Sequence, residues 1–187
     1  VGPDTAKEVL RTALAMGSDT AILVKDDARS DSFVISSAIA ELATETSPDV
    51  IIFGRQSIDF DSFVVPSMVA EILGWPNVSM ASTLTIDGTN VSAERDIEGG
   101  KEIVSSSLPC VISAQKGLND PRYPKLPDIM KAKSKPITER AASSASARVA
   151  IVGMTLPETK RLNKMMSDSE ADIEQLVRLL HEEAKVI

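Results

Sequence analysis

Apolar residues in the first third of the chain alternate between strand-like runs and helical stripes. Two short continuous runs, at 21–24 and 49–53, have the length and composition of buried strands. Stripes with three- and four-residue spacing lie before, between and after these runs, and the last of them predicts a helix over 61–73. This order of elements is typical of a parallel sheet covered by helices on both faces.

Polar residues and glycine mark the ends of the first two predicted helices. Asp4 or Thr5 is expected to cap the first helix, and Gly17 is expected to end it. Ser30 or Asp31 is expected to cap the second helix, because both side chains can accept a hydrogen bond from the first turn.

The pattern changes to strict alternation after residue 80. Alternating segments at 82–86, 91–97 and 103–107 are separated by turn residues, of which Asp87-Gly88 is a strong hairpin signal. A further apolar strand is predicted at 110–114. The middle of the chain is therefore expected to form an antiparallel β-meander that extends the parallel sheet.

The C-terminal region is predicted to be a linker and one amphipathic helix. Small and polar residues at 141–146 are typical of a linker, and Ser167 or Asp168 is expected to cap the helix. Its apolar stripe consists of Ile173, Leu176, Val177, Leu180 and Ala184. Such a stripe has to pack either on the chain's own domain or on a partner subunit.

Together these elements define an α/β fold class. We expect a Rossmann-like, mostly parallel sheet with helices on both faces, extended by the β-meander and followed by the C-terminal linker and amphipathic helix. The 187 residues correspond to about one ordinary domain.

Composition excludes several classes of function. The net charge of −7 argues against a nucleic-acid partner, and no apolar run reaches the ~20 residues of a membrane-spanning helix, so we expect no direct membrane insertion. One cysteine and one histidine exclude a disulfide framework and a Cys/His-rich metal site. His181 lies on the predicted C-terminal helix and is expected to be a surface residue rather than a catalyst.

Positive charge is concentrated between residues 116 and 140. This stretch contains Lys116, Arg122, Lys125, Lys131, Lys133, Lys135 and Arg140 against only Asp120, Asp128 and Glu139. A local basic stretch on an acidic protein suggests an acidic partner or a phosphate group. A solvated loop and helix end would give the same pattern, and both interpretations remain open at this point.

The loop between the second strand and the third helix is the best candidate for a ligand site. It begins with Gly54, which lets a ligand approach the backbone, and it leaves the carboxyl end of a predicted parallel strand. Gln56, Ser57 and Ser62 can hydrogen-bond a nucleotide. The Asp59/Asp61 pair would repel phosphate unless it binds ribose hydroxyls or caps the turn, so a plain capped turn remains the alternative.

Five sequence blocks closely resemble the electron transfer flavoprotein β-subunit family. They are LRTALAMG at 10–17, GRQSID at 54–59, IEGG at 97–100, NDPRY at 119–123 and LPDIMKAK at 126–133. The blocks follow the family's order and cover about residues 1–135, with a weaker match toward the C-terminus.

The resemblance implies a carrier of electrons rather than an enzyme. Members form a heterodimer with an electron transfer flavoprotein α subunit, which holds most of one FAD, and the β subunit binds a structural AMP. The heterodimer takes electrons from acyl-CoA dehydrogenases and related dehydrogenases, as in fatty acid β-oxidation, and passes them to a membrane quinone oxidoreductase. The implied compartment is the cytoplasm in a bacterium or the mitochondrial matrix in a eukaryote.

The same resemblance assigns two sets of residues. The cofactor-binding set is Val1, Gly54, Arg55, Gln56, Ser57, Ile58, Asp59, Phe60, Asp61, Ser62, Phe63, Val64 and Val65. The partner-docking set is Tyr123, Lys125, Leu126, Pro127, Ile129, Met130 and Lys131, within a docking segment at 115–135. Leu126 matches the family's anchoring leucine, and no residue is assigned a catalytic role. Cys110 stands where the family has a small apolar residue, so the resemblance implies a packed thiol.

Two departures from the family bear on the nucleotide. Val64, Val65 and Pro66 replace a polar Gln, a Thr or Val, and a Gly. An alternative branch bifurcates electrons from NADH and binds a second FAD in place of AMP. Its members tend to carry glycine between the two loop acids, where this chain has Phe60, which favours the ordinary branch.

The resemblance also suggests a division of the chain. Residues 1–135 are expected to be an α/β nucleotide-binding core whose first strand is missing, because family members have further residues on the N-terminal side. Residues 136–187 are expected to form an arm and helix that pack on the partner subunit. A parallel sheet without its first strand would expose apolar edges, so we expect the isolated chain to be poorly stable.

Overall fold

The computed structural model describes residues 1–26, 31–157 and 163–186. These residues belong to two compact units, Val1–Ala150 and Ile151–Ile187. In the first unit the strands are β1 (Ala21–Val24), β2 (Val50–Gly54), β3 (Asn77–Asp87), β4 (Asn90–Ile97), β5 (Gly100–Ser107), β6 (Cys110–Ala114) and β7 (Ile137–Arg140). Its helices are α1 (Lys7–Ala15), α2 (Ser32–Thr46), α3 (Val65–Leu73) and α4 (Leu126–Ser134).

The strands form one mixed five-stranded sheet and one parallel pair. The larger sheet has the order β2-β6-β3-β4-β5, in which β6 pairs in parallel with both β2 and β3. The meander β3-β4-β5 is antiparallel. The smaller sheet pairs β1 with β7 in parallel. The α/β class, the parallel strands and the antiparallel extension are thus confirmed, with the strands divided between two sheets.

Three apolar clusters hold the first unit together. One lies on the meander side of the large sheet and contains Val78, Val91 and Ile112. A second packs α3 against β6 through Val69 and Val111. The third joins α1, β1 and α4, and its buried members are Leu14, Ala15, Ala21 and Ala132. This third cluster positions the helix that carries most of the expected docking residues.

Helix ends agree with the sequence in some places and differ in others. Asp31 caps α2, as expected, because its carboxylate accepts the Val34 backbone N–H at 2.9 Å, whereas Ser30 lies outside the described residues. A 3₁₀ turn at Asp4–Ala6 replaces the expected side-chain cap of α1. The predicted start of α3 at residue 61 was wrong, since the helix begins at Val65. Pro66 has no N–H to donate and therefore fits only the first turn of a helix.

The short strand β7 was missed by the sequence analysis. It pairs with β1, and its Glu139 carboxylate contacts the ammonium groups of both Lys7 and Lys25. Asp4 contacts the same two lysines at 3.0 and 3.3 Å. Hydrogen bonds from Lys25 and Lys7 lower the pKa of the Glu139 carboxyl, so this surface network ties the ends of β1, β7 and α1 together at neutral pH.

The second unit contains one amphipathic helix. Helix α5 (Glu170–Arg178) is capped by Ser169 rather than by Ser167 or Asp168, and it continues as a π turn over Leu179–Glu183. Ile173, Leu176 and Val177 remain about half exposed within this unit. These three residues of the expected stripe lie on α5, whereas Leu180 lies in the π turn and Ala184 follows it.

The Arg11 side chain links α1 to the end of α4. Its guanidinium donates to the Ala132 carbonyl at 2.6 Å and also to the Lys135 carbonyl. These carbonyls belong to the last turn and the C-cap of α4, where the usual partner four residues further on is missing, and the Ala132 carbonyl also accepts the Lys135 N–H at 3.3 Å. Because α4 buries only Ala132, these bonds to a charged donor are a large part of what fixes the helix.

We expect Arg11→Met to lower the free energy of unfolding by about 1.5–3 kcal/mol, because two α4 carbonyls lose a charged donor while the aliphatic stem is kept. Chemical denaturation of the wild type and the variant measures this difference. The matched control is Arg55→Met, since the Arg55 guanidinium has only a 3.5 Å contact to the Gln115 side chain. Equal losses in the two variants would contradict the assigned role of Arg11.

Candidate functional site

The loop between β2 and α3 closes on itself through reciprocal hydrogen bonds. The Ser57 N–H donates to the Ser62 carbonyl at 2.9 Å, and the Ser62 N–H donates to the Ser57 hydroxyl at 3.1 Å. The Gln56 amide donates to the Asp61 carboxylate across the same turn. These bonds fix the loop as a compact turn at the carboxyl end of β2.

The two loop carboxylates serve the turn itself. Asp59 accepts the Phe60 backbone N–H at 2.9 Å, and its pKa is lowered by this bond and by a bond from the Ser57 hydroxyl. Asp61 has a backbone φ of +54°, a left-handed conformation that Asp tolerates better than most residues. In the part of the chain that the structure describes, no group of three or more His, Cys, Asp or Glu residues could hold a metal ion.

The outer surface of this loop is apolar and exposed. Ile58 is fully exposed, Phe60 and Phe63 are more than half exposed, and Val64 is exposed to a lesser degree. A Cβ built on Gly54 would meet nothing within 4 Å, so the space above the end of β2 is open. The loop therefore combines a rigid polar turn with an accessible surface at a sheet edge where α/β proteins bind ligands.

The remaining cofactor candidates, Arg55, Val65 and Val1, lie at or beyond the ends of this loop. Arg55 extends from the end of β2 and contacts the Gln115 side chain, which follows β6. Val65 is the first residue of α3. Val1 lies near the end of β1, where the Gly2 N–H donates to the Val24 carbonyl at 3.0 Å. The loop residues are thus brought together, whereas the hydrogen bonds beside Val1 lead to β1 and not to the loop.

The docking segment presents large apolar side chains to solvent. Leu126 is 73% exposed at the first position of α4, and Tyr123, which precedes it, is 89% exposed. Met130 is also exposed, and Ile129 lies at the edge of exposure. Pro127 occupies the first turn of α4, where a missing N–H has no cost. Lys125 and Lys131 flank this apolar surface and are exposed.

Two residues outside these sites have the expected environments. Cys110 is fully buried in β6, and burial raises the pKa of its thiol, which makes it a packed and unreactive group. His181 is exposed in the π turn that follows α5. Within the described residues, no helix is long and apolar enough to cross a bilayer.

Comparison with known proteins gives a consistent result. Residues 1–145 match the family model described as the electron transfer flavoprotein domain. The chain is 38% identical to the electron transfer flavoprotein subunit beta of Syntrophomonas wolfei, over 89% of this chain and 66% of that protein. It is 39% identical to the protein of the same name from Bacillus subtilis, over 100% and 77%. The mitochondrial protein of that name from Oryza sativa subsp. japonica is 35% identical, over 100% and 76%.

The parallel strands, the turn at the end of β2 and these matches together define the class of protein. The chain belongs to the electron transfer flavoprotein family, as a β subunit, and has a role in electron transfer. It spans about two thirds to three quarters of the length of the relatives it matches.

Proposed function

We propose that this chain is the β subunit of a heterodimeric electron transfer flavoprotein that docks acyl-CoA dehydrogenases and related dehydrogenases. The heterodimer accepts their electrons and passes them to a membrane quinone oxidoreductase. An α subunit holds most of the FAD, which supplies the one- and two-electron chemistry when bound. In this proposal the β chain itself has no catalytic residue and acts through docking.

The exposure of Leu126 is the observation that carries the docking proposal. A leucine that is 73% exposed at the start of a helix contributes little to the core, and it belongs to a group of exposed apolar side chains, which supports a contact with a partner. Tyr123 and Met130 extend the same apolar surface, and exposed lysines flank it. A central apolar anchor with a polar rim is the usual composition of a protein–protein contact.

The loop at 54–65 is proposed to bind AMP. Its residues fit the chemistry of a nucleotide: Arg55 offers positive charge for a phosphate, and the carboxylate of Asp59 can accept from ribose hydroxyls. Open space above Gly54 leaves room for the ligand. Pro66 removes one backbone donor from the first turn of α3, so fewer N–H groups than usual are available to the phosphate there.

The C-terminal arm, expected over 136–187, is proposed to reach the α subunit through α5, because β7 at its start pairs with β1 in the first unit. Within the second unit, the apolar stripe of α5 at Ile173, Leu176 and Val177 is about half exposed, which fits a helix that packs on a partner.

We expect Gly54→Val to abolish AMP retention in the full heterodimer, because the new side chain fills the space above the end of β2. AMP released from the purified protein after gel filtration measures retention. Gly100→Val is the matched control, since a Cβ at Gly100 also meets nothing within 4 Å and lies on the remote strand β5. Stoichiometric AMP in the Gly54 variant would show that the loop does not hold the nucleotide.

We expect Leu126→Ala in the full heterodimer to slow electron acceptance from an acyl-CoA dehydrogenase at least about tenfold. Truncating an interface anchor costs about 2 kcal/mol or more, and each 1.4 kcal/mol corresponds to a factor of ten. The rate of flavin reduction by the substrate-reduced dehydrogenase measures the effect.

Stability measurements separate this docking role from a packing role. Leu126→Ala should change the unfolding free energy by no more than about 0.5 kcal/mol, as is usual for exposed positions. Leu14→Ala is the control, because Leu14 is 3% exposed and its truncation should cost about 2–5 kcal/mol. A large loss of stability with normal electron acceptance in the Leu126 variant would refute the docking assignment.

A further inference from the structure

A basic cavity lies between the end of α1 and the length of α4. Its volume is about 470 Å³, and four cationic side chains line it: Arg122, Lys125, Lys131 and Lys135. Asp128 is the one carboxylate among its described lining residues. The cavity therefore has a clear excess of positive charge, although the protein as a whole carries a net charge of −7.

The carbonyl end of α1 helps to hold two of these cations in place. A Cβ built on Gly17, which follows α1, would lie 3.4 Å from Nη1 of Arg122, so the guanidinium packs directly against this glycine. The Lys135 ammonium donates to the Ser18 carbonyl at 2.8 Å. Cations are favoured at this position because the C-terminal end of a helix carries partial negative charge.

Three of these cations are exposed and form no ion pair within the described residues. The side chains of Arg122, Lys125 and Lys131 form no ion pair or hydrogen bond there, even though Asp128 shares the cavity. Elsewhere in the first unit, Arg95 and Arg140 each contact a carboxylate. A carboxylate from another molecule could form ion pairs with these unpaired cations.

The floor and the position of the cavity indicate the source of that carboxylate. Leu14 and Ala15, which are almost completely buried, line the cavity and make part of it apolar. Exposed Tyr123 lines the cavity as well, and Leu126 follows Lys125 directly in the chain. An acidic side chain on an aliphatic stem would match both the apolar floor and the cationic mouth.

We propose that this cavity binds an Asp or Glu side chain of the dehydrogenase that docks on Leu126. The inference rests on the proposed docking function and adds a specific polar contact to it. Arg122 is the central residue, because its planar guanidinium can bind a carboxylate through two parallel hydrogen bonds. The docking surface then extends beyond the segment at 115–135 to the last turn of α1.

The test measures electron transfer to the full heterodimer while the concentration of an acyl-CoA dehydrogenase is varied. Arg122→Gln should raise the KM for the dehydrogenase roughly tenfold at low salt, equivalent to about 1.4 kcal/mol, and leave kcat nearly unchanged. Arg122→Lys keeps the positive charge and should raise this KM less than Arg122→Gln does. The difference between wild type and Arg122→Gln should shrink near about 0.5 M salt, where exposed charge pairs are screened, whereas a Leu126→Ala defect should persist.

Lys133→Gln is the matched control, because it also removes one positive charge from this region, but at a residue of α4 that does not line the cavity. If Arg122→Gln should fail to fold, Lys125→Gln takes its place, with the same expected rise in KM. Equal KM values for the Arg122 and Lys133 variants, or a loss that salt does not reduce, would overturn the proposal. Normal docking in Leu126→Ala together with a raised KM in Arg122→Gln would refute the leucine anchor and support the cavity.

Discussion

The Arg11 guanidinium joins α1 to α4, and the placement of the proposed docking surface depends on this link. Helix α4 has nine residues and buries only Ala132, so its own apolar contacts hold it weakly. Arg11 supplies charged hydrogen bonds to the carbonyls of Ala132 and Lys135, across 121 and 124 residues of sequence. A short helix fixed in this way can expose its apolar side chains to a partner without detaching from the domain.

The loop at 54–65 and the proposed docking surface are held in place by different kinds of contact. The loop at 54–65 is fixed by bonds within a few residues, such as those between Ser57 and Ser62, and its ligand would meet a preformed turn. The docking surface is assembled from distant segments, since α1 and α4 meet only in the folded chain. Local bonds suit a small ligand, whereas a wide surface of exposed side chains with flanking charge suits a protein partner.

Local features were predictable from the sequence, and long-range contacts were not. The Asp31 cap and the buried strand at 21–24 follow from neighbouring residues, and both are confirmed. The late start of α3 could have been found from Pro66, whose missing N–H restricts it to the first turn. Strand β7 and the Arg11 link have no local signal, because each depends on a partner more than 100 residues away. The roles of Leu126 and of the loop residues stay predictions.

Hydrogen–deuterium exchange of the intact heterodimer, with and without a bound acyl-CoA dehydrogenase, tests the central claim most directly. Binding should slow exchange in α4 and in the residues at 14–18 that follow and end α1, because both border the proposed docking surface. The meander β3-β4-β5 serves as an internal reference and should be unchanged. Protection of the meander, with none at α4 or at the end of α1, would contradict the account.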